Sequence, residues 1–541
     1  MSIRVIPLGG LGEFGLNTMV IEAGAERVVM DCGVMFPDPT IGVDYVIPDF
    51  RYLLAPDRKI SALLITHGHE DHIGAVPFLI EQKPMDIIST PFTLALLKKK
   101  FTDLEMPIPE MTEVKPGGRV RIGSIEAEFI AVNHSIPDAC AIALHTPFGT
   151  IINSGDFKID QSEYKGERIS TERFKELGKK ETLLLMSDST NIEVPGNTPS
   201  ENTLIASFDE IFKPAKGRIF VGLFASHIRR IQEFVDLAVR YHRKIAFLGR
   251  SLTENLALAV ELGYISLPTT LIVPPEKISR VKENEIMILA TGTQGERGAA
   301  LPAIAAGENP YVKVSEGDIL VHSARIIPGN ELSTGHMFDG FYKQGAKVIE
   351  SSDKLIHISG HGGQEDQKLL INLIKPKYFI PIHGNYRLLA KHADLAKDAG
   401  VPEQHIFVME NGDCLEIKND KALVTKLLKI EKNFVEGGIH EGISGALIRT
   451  RRQLARGGVV IVVIIKEEST ASIVTGPHII CKGVTDSEDL IEEMKNVASD
   501  SLSATTHEFS DPHDEIRVAI RRLLEKRISK RPLVVPIILE V

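Results

Sequence analysis

Short apolar runs ending in glycine, aspartate or histidine dominate the first ~150 residues. The runs at 3–8, 17–22, 27–31, 62–66, 125–132 and 150–154 have the length and Val/Ile content of strands. From about 203 to 345 the texture becomes βαβ. Short apolar strands at 218–223 and 243–247 flank a stretch, 228–241, whose apolar positions recur at helical spacing. Near 350 the chain returns to His- and Gly-rich loops beside short strands. A polar junction at 426–452 precedes a last segment that reads as strands 459–466 and 471–475, helices 487–503 and 514–529, and a final strand 533–540. The alternation predicts an α/β chain ending in a small α+β domain.

Bulk properties restrict this picture only a little. A chain of 541 residues should hold about three or four domains. No run approaches the ~18 apolar residues of a membrane span. The stretch 457–465 is too short and too rich in Val and Ile, and reads as a buried strand. The start MSIRVIPLGG lacks the pattern of a secretion signal, so a cytoplasmic protein is expected, without a membrane partner. Cys32, Cys140, Cys414 and Cys481 are scattered and form no CxxC pair, which argues against a disulfide framework and against a zinc ribbon. The net charge of −10 argues against binding nucleic acid over the whole surface, but leaves room for a local basic channel.

The candidate chemistry lies in Thr66-His67-Gly68-His69-Glu70-Asp71-His72, between an apolar strand and an apolar helix-like run. His67 and His69, two apart at a strand end, can point to one side. Three imidazoles and a carboxylate so close together suit zinc or manganese. One loop cannot close two metal shells. Further donors are expected from His134 in VNHSIPDA, Asp156 in NSGDFKID and His383 in FIPIHGNYR, each where a strand gives way to a loop. Asp31, ending VVMD, is a strand-end acid. The GxGxxG of Gly10–Gly15 opens a strand-like NTMVIE instead of a helix, so it reads as a glycine-rich hairpin near the metal site and not as a dinucleotide turn.

This set resembles the metallo-β-lactamase superfamily. The resemblance implies that His67, His69 and His134 hold one metal, that Asp71, His72 and His383 hold a second, and that Asp156 bridges them. Asp31 would orient the ligand loop from behind. MSDSTN with Asp188, HISGHGGQEDQ with His361, and HGNYR flank an inserted βαβ region, which resembles the β-CASP nucleases. The motifs LGGLGEFGLN, VDYVIPDF, THGHEDHIGAVP, GDFKID, SDSTN, TGTQGE, IPGNE, SGHGGQEDQKL, LIKPK and KRPLVVPIILEV together resemble the bacterial ribonuclease J family.

That resemblance implies a metallo-β-lactamase αββα sandwich (1–202 and 350–425), a β-CASP domain (203–349), a linker (426–452) and a C-terminal α+β oligomerisation domain (453–541). It implies 5′-to-3′ exonuclease and endonuclease action on RNA, in RNA decay and in rRNA and mRNA maturation. Two divalent ions, zinc first with manganese or magnesium as alternatives, would activate the hydroxide that attacks the phosphodiester. The implied partners are single-stranded, 5′-monophosphorylated RNA, a second or further copies in a homodimer or homotetramer, and RNA-decay proteins. Candidate catalytic residues are Asp71, Asp188 and His361, with His361 as general acid held by Asp188. Candidate substrate contacts are His357, Ile358, Ser359, Gly360 and His361 at the 5′ phosphate, and Ser226, His227, Ile228 and Arg229. Ser226 is expected to cap the helix that follows. The family pattern there is Ser-Asn-x-His-Arg, whereas this chain reads Ser226-His227-Ile228-Arg229-Arg230, and His322, Ser323 and Arg325 also depart from the expected small polar residues. The basic stretch 517–531 reads as an amphipathic helix with Ile520, Leu523, Leu524 and Ile528 inward and its charges solvated.

Three other readings compete. A β-CASP nuclease acting on DNA is disfavoured by His383, where a valine would favour DNA. A small-molecule metallo-hydrolase has no need of the insertion or the SGH loop. A non-catalytic scaffold would be expected to show eroded ligands, and all seven are present.

Overall fold

The computed structural model describes residues 2–37, 42–160, 162, 169–436, 443–468, 472–503 and 511–541. By contacts they divide into two units. The first comprises 1–35 and 47–431, the second 36–46 and 432–541.

In the first unit the early strands form two sheets. The larger has the order Lys421–Lys426, Asp413–Lys418, Ile3–Gly9, Thr18–Ala23, Glu26–Met30, Ala62–Leu64, Ile87–Ser89 and Met111–Glu113. The other runs Tyr378–Ile382, Leu184–Asp188, Gly149–Asn153, Cys140–Thr146, Ile125–Ala131 and Arg119–Ile122. They face each other across one core, where Ile21, Met30 and Leu64 of the first sheet cluster with Ile142, Leu144 and Met186 of the second. Leu184–Asp188 and Tyr378–Ile382 of the second sheet are buried on both faces because helices cover its outer side. Phe174, Leu177, Leu370 and Ile374 pack on Ile152 and Leu185.

The inserted region forms a third sheet, all parallel, in the order Lys244–Leu248, Ile286–Ala290, Ile219–Gly222, Ile319–His322 and Lys347–Ile349. Helix Ile228–Arg240 packs on one face with Ile231 and Phe234 fully buried, and helix Glu331–Lys343 packs on the other through Phe338 and Phe341. The expected strand–helix–strand at 218–247 is therefore present, with its boundaries shifted by a residue.

The second unit builds a three-stranded sheet, Ile473–Lys482, Val459–Lys466 and Leu533–Glu540, under helices Glu488–Ser503 and Pro512–Ile528. Ile516, Ile520 and Leu524 are completely buried on it, as the amphipathic reading of the basic helix requires. Within 426–452 the chain forms strand Asn433–Val435 and most of helix Gly445–Gly457, while 437–442 lies outside the described residues. The strand expected at 471–475 runs on to Lys482; its expected first residue, Ala471, lies outside the described residues. The strand continues past Pro477 because it is an edge strand, where a missing N–H costs no ladder bond.

Candidate metal centre

Parallel pairing brings three strand ends together. Asn153 pairs with Met186 and Asp188 pairs with Ile382, so the loops carrying Asp156, Asp188 and His383 leave adjacent strands at one edge. The His67–His72 loop leaves the facing sheet at the end of Ala62–Leu64. His69 takes the N-cap position of the short helix Glu70–Ile73. Gly33 allows this loop to settle: a Cβ there would lie 1.6 Å from the Asp71 carbonyl oxygen.

The seven expected donors converge in two sets that share Asp156. In the first, His67 Nε2 and His134 Nε2 each lie 3.1 Å from His69 Nδ1, and 3.6 and 3.7 Å from Asp156 Oδ2. In the second, His383 Nε2 lies 3.1 Å from Asp71 Oδ2, His72 Nε2 lies 3.7 Å from the same oxygen, and the two imidazoles lie 3.7 and 3.4 Å from Asp156 Oδ2. A cation held at about 2.1 Å by tetrahedral donors has donor–donor edges of about 3.4 Å. The donor spacing fits that geometry.

Electrostatics support the same fit. Burial, reinforced by the neighbouring imidazoles, lowers His67 and His134 well below the ordinary range and His69 to about 4. Three neutral rings thus aim nitrogens at one point. Burial would lower His72 and His383 as well. The carboxylates of Asp156, Asp71 and Asp31 overcome it for His72, and those of Asp156, Asp188 and Asp71 for His383, so both are raised well above normal. The second set therefore demands positive charge, which protons or a divalent cation supply.

The outer ring nitrogens fix the tautomers. His134 Nδ1 lies 2.8 Å from the Gly360 carbonyl, which can only accept, so Nδ1 carries the proton and Nε2 offers its lone pair. His72 Nδ1 donates to Asp31 Oδ2 at 2.9 Å. Thr66 Oγ1 donates to Asp31, and thus accepts from His67 Nδ1 at 3.0 Å. Thr190 Oγ1 lies 2.6 Å from His383 Nδ1.

Beside the two sets, His361 Nδ1 lies 2.8 Å from Asp188 Oδ2, and His361 Nε2 lies 4.0 Å from Asp156 Oδ2. Burial opposes protonation of His361, but the charges of Asp188 and Asp156 outweigh it and its pKa is raised. Ser359 Oγ accepts the His361 backbone N–H, and a Cβ on Gly360 would sit 2.7 Å from His134 Nδ1.

The two expected substrate segments meet at Arg230, whose Nη1 donates to the Ile356 carbonyl at 3.2 Å and to Ser323 Oγ at 2.6 Å. His227, not Ser226, caps the helix; its Nδ1 accepts from Arg230 N at 3.3 Å. Ser226, one residue before the cap, instead offers its backbone carbonyl to Ile228 N. His227, Ile228 and Arg230 are buried. Arg229 is near Asp160 and Glu233, at 3.6 and 3.7 Å. Arg230 is neutralised by Glu201, which also accepts from Lys158 Nζ at 2.8 Å. Ile358 is buried, while His357 is half-buried and lowered to about 3, by burial first and then by Arg230. His322 is buried and bonds to the Thr293 carbonyl at 2.9 Å, away from the site. Arg325 is exposed and reaches Asn191 Oδ1 at 3.0 Å; Asn191 in turn donates to the His361 carbonyl.

Sequence reading missed several residues here. Asn17 Nδ2 lies 3.0 Å from the Asp71 carbonyl and 3.1 Å from His72 Nε2. The half-exposed Phe14 ring stands edge-on to His383 at 6.2 Å. Both lie in or just after the glycine-rich segment, whose strand Leu11–Gly12 pairs with Gly384–Asn385 beside His383. The glycine-rich segment itself, expected beside the candidate donors, was the available signal.

Comparison with known proteins agrees. Family models match at 26–164 (beta-lactamase superfamily domain), 216–341 (ribonuclease J, beta-CASP domain), 346–409 (Zn-dependent metallo-hydrolase RNA specificity domain) and 446–541 (ribonuclease J C-terminal domain). Ribonuclease J 1 of Streptococcus pyogenes is 37% identical over 99% of this chain and 98% of its own. Ribonuclease J of Helicobacter pylori is 37% identical over 99% of this chain and 79% of its own, and ribonuclease J2 of Bacillus subtilis is 34% identical over 100% and 99%. A solved Enterococcus faecalis protein of unknown function shares the fold over 77% of this chain and all of its own, with a TM-score of 0.57 and 18% identity. The architecture is accordingly a metallo-β-lactamase fold with an inserted β-CASP domain and a C-terminal domain. With relatives aligned along nearly its whole length, the chain belongs to the ribonuclease J family.

Proposed function

We propose that this chain is a metal-dependent ribonuclease that trims RNA from the 5′ end and also cuts internally, in RNA decay and in rRNA and mRNA maturation. The observation that carries the reading is the pair of donor sets joined at Asp156 Oδ2 with the Asp188–His361 pair beside them. His67, His69 and His134 would hold one divalent ion, and Asp71, His72 and His383 the other, with Asp156 between them. Zinc suits the imidazole-rich first set, and manganese or magnesium are alternatives. When bound, such a pair supplies Lewis-acid activation of a water and neutralisation of phosphate charge.

The chain's own residues do the rest. Asp31, Thr66, Gly360 and Thr190 keep the ligand rings aimed. His361, protonated on both nitrogens and held through Nδ1 by Asp188, gives its Nε2 proton to the leaving oxygen as the phosphodiester bond breaks. The 357–361 loop receives the 5′ phosphate of single-stranded RNA, and Ser226–Arg229 form the wall behind it. The C-terminal domain joins copies into a homodimer or homotetramer.

One assay tests the reading. Purified protein is given 5′-monophosphorylated RNA, 5′-hydroxyl RNA and single-stranded DNA across a metal titration, beside His69→Ala. RNA cleavage that needs metal, prefers the 5′ monophosphate and vanishes in His69→Ala is expected. Cleavage of DNA alone, or of no RNA under any metal, overturns it.

A further inference from the structure

The C-terminal unit contains a second concentration of positive charge. Helix Gly445–Gly457 carries Arg449, Arg452 and Arg456 at spacings of three and four, which places them on one face. All three are exposed, and none has an ion-pair partner among the described residues. Like charges so spaced repel each other, and the helix itself offers no acid to offset them. This face lines a groove of about 730 Å³ whose other wall is Lys530 and Arg531, just past helix Pro512–Ile528. Glu525 is the acid in the lining, and Arg531 already binds it.

The groove is held in shape. Gln453 Nε2 donates to the Pro532 carbonyl at 3.1 Å, and Leu533 N donates to the Gly458 carbonyl at 3.0 Å. Gly457 permits this approach, because a Cβ there would lie 2.9 Å from the Arg531 carbonyl oxygen. The close packing is what brings the two sets of cations to face each other.

We propose that this groove binds the phosphodiester backbone of the RNA substrate at a point separate from the metal centre, without reading its sequence. The inference rests on the ribonuclease reading above. Guanidinium forks suit phosphate oxygens, which they can bind through two hydrogen bonds. The lining is arginine, lysine, glutamine, glycine and serine with the one glutamate, and holds no aromatic or aliphatic side chain. A protein partner would want an apolar anchor, and a read base would want a stacking ring. The exposed Leu447 and Leu454 of the same helix stand on its opposite side. In a chain of net charge −10, a paired-up cation cluster would be the ordinary arrangement, and here three arginines have no acid partner among the described residues.

The test uses the full chain with Arg449→Gln, Arg452→Gln and Arg456→Gln combined, and separately Lys530→Gln with Arg531→Gln. Binding of a long fluorescent single-stranded RNA is measured against salt. Removing three phosphate contacts should lower the salt slope by about 2 and weaken binding roughly tenfold or more at 0.1 M. Long RNA bearing 4-thiouridine should cross-link to 445–457 and 529–531 in the wild type and not in the variants. Cleavage of a short oligonucleotide should persist. An unchanged slope in variants that still cleave overturns this inference and leaves the ribonuclease reading intact. A wild type that cleaves no RNA defeats that reading first. Full competition by inorganic phosphate would make the groove a small-anion site, and loss of self-association with an unchanged slope would make it a protein contact; either overturns the proposal.

Discussion

Glu201→Ala should be among the most costly single substitutions outside the candidate metal donors. Glu201 is 2% exposed and accepts from two buried cations, Lys158 and Arg230. Lys158 follows Asp156 by two residues, and Arg230 belongs to the inserted domain. Alanine leaves Arg230 with Glu233, whose Oε2 is 3.1 Å from its Nε, and with neutral acceptors at Ser323 and Ile356. Lys158 keeps no ion-pair partner among the described residues. Breaking a buried pair and stranding a cation costs about 3–5 kcal/mol. The chain has no tryptophan, so urea unfolding is best followed by circular dichroism. The loosened Lys158 should also disturb Asp156, lowering bound metal per chain. If the charge argument holds, adding Lys158→Met to Glu201→Ala should restore about 1–3 kcal/mol, because it removes the stranded cation. Glu201→Ala unfolding within about 0.5 kcal/mol of wild type, or a double variant that is simply additive, would refute the reasoning.

Three further outcomes are expected. Asp188→Asn removes the anion that keeps His361 protonated and aimed, so cleavage should fall about 10²–10⁴-fold with circular dichroism unchanged; retention of wild-type turnover would exclude His361–Asp188 as the acid pair. Gly360→Ala forces a methyl against His134 Nδ1 and should reduce both metal content and cleavage, read by elemental analysis of the purified chain. Burial, aided by the Glu201 charge, pushes the Glu233 carboxyl up to about 7. A raised acid favours the folded state at low pH. Its contribution is full below about 4.5 and lost as pH rises through 7, about 3 kcal/mol in all. Glu233→Gln should therefore flatten the fall in urea stability between pH 5 and pH 8, and an unchanged slope would show that Glu233 is ionised throughout.

How far the site could be read from sequence follows from how each residue acts. The convergence of the side chains from His67 to His72 was legible because so many candidate donors crowded into one loop have few other uses. His134, Asp156 and His383 were legible as polar residues ending apolar strands. Asn17 and Thr190 were not, since an amide or hydroxyl looks like any turn residue until strand pairing sets it against a ring nitrogen from far along the chain. The cap at Ser226 misled because serine and histidine both accept a helix N–H, and only the packing of Ile228 and Arg230 decides where the helix begins. Nothing local in the sequence marks Lys158 and Glu201 as buried.

The Lys158–Glu201–Arg230 cluster also limits how the chain can be recombined. The inserted domain looks like a cassette, joined to its host by two peptide crossings. Yet its Arg230 draws its counter-charge from a glutamate at the crossing, which is shared with Lys158 from the host's own Asp156 loop. A chimaera spliced at 202 and 349 with an insertion from a distant relative would keep both hydrophobic cores but could mismatch this buried charge count. Transplants that carry Lys158 and Glu201 together with the insertion should fold, and those that respect only the strand boundaries should not.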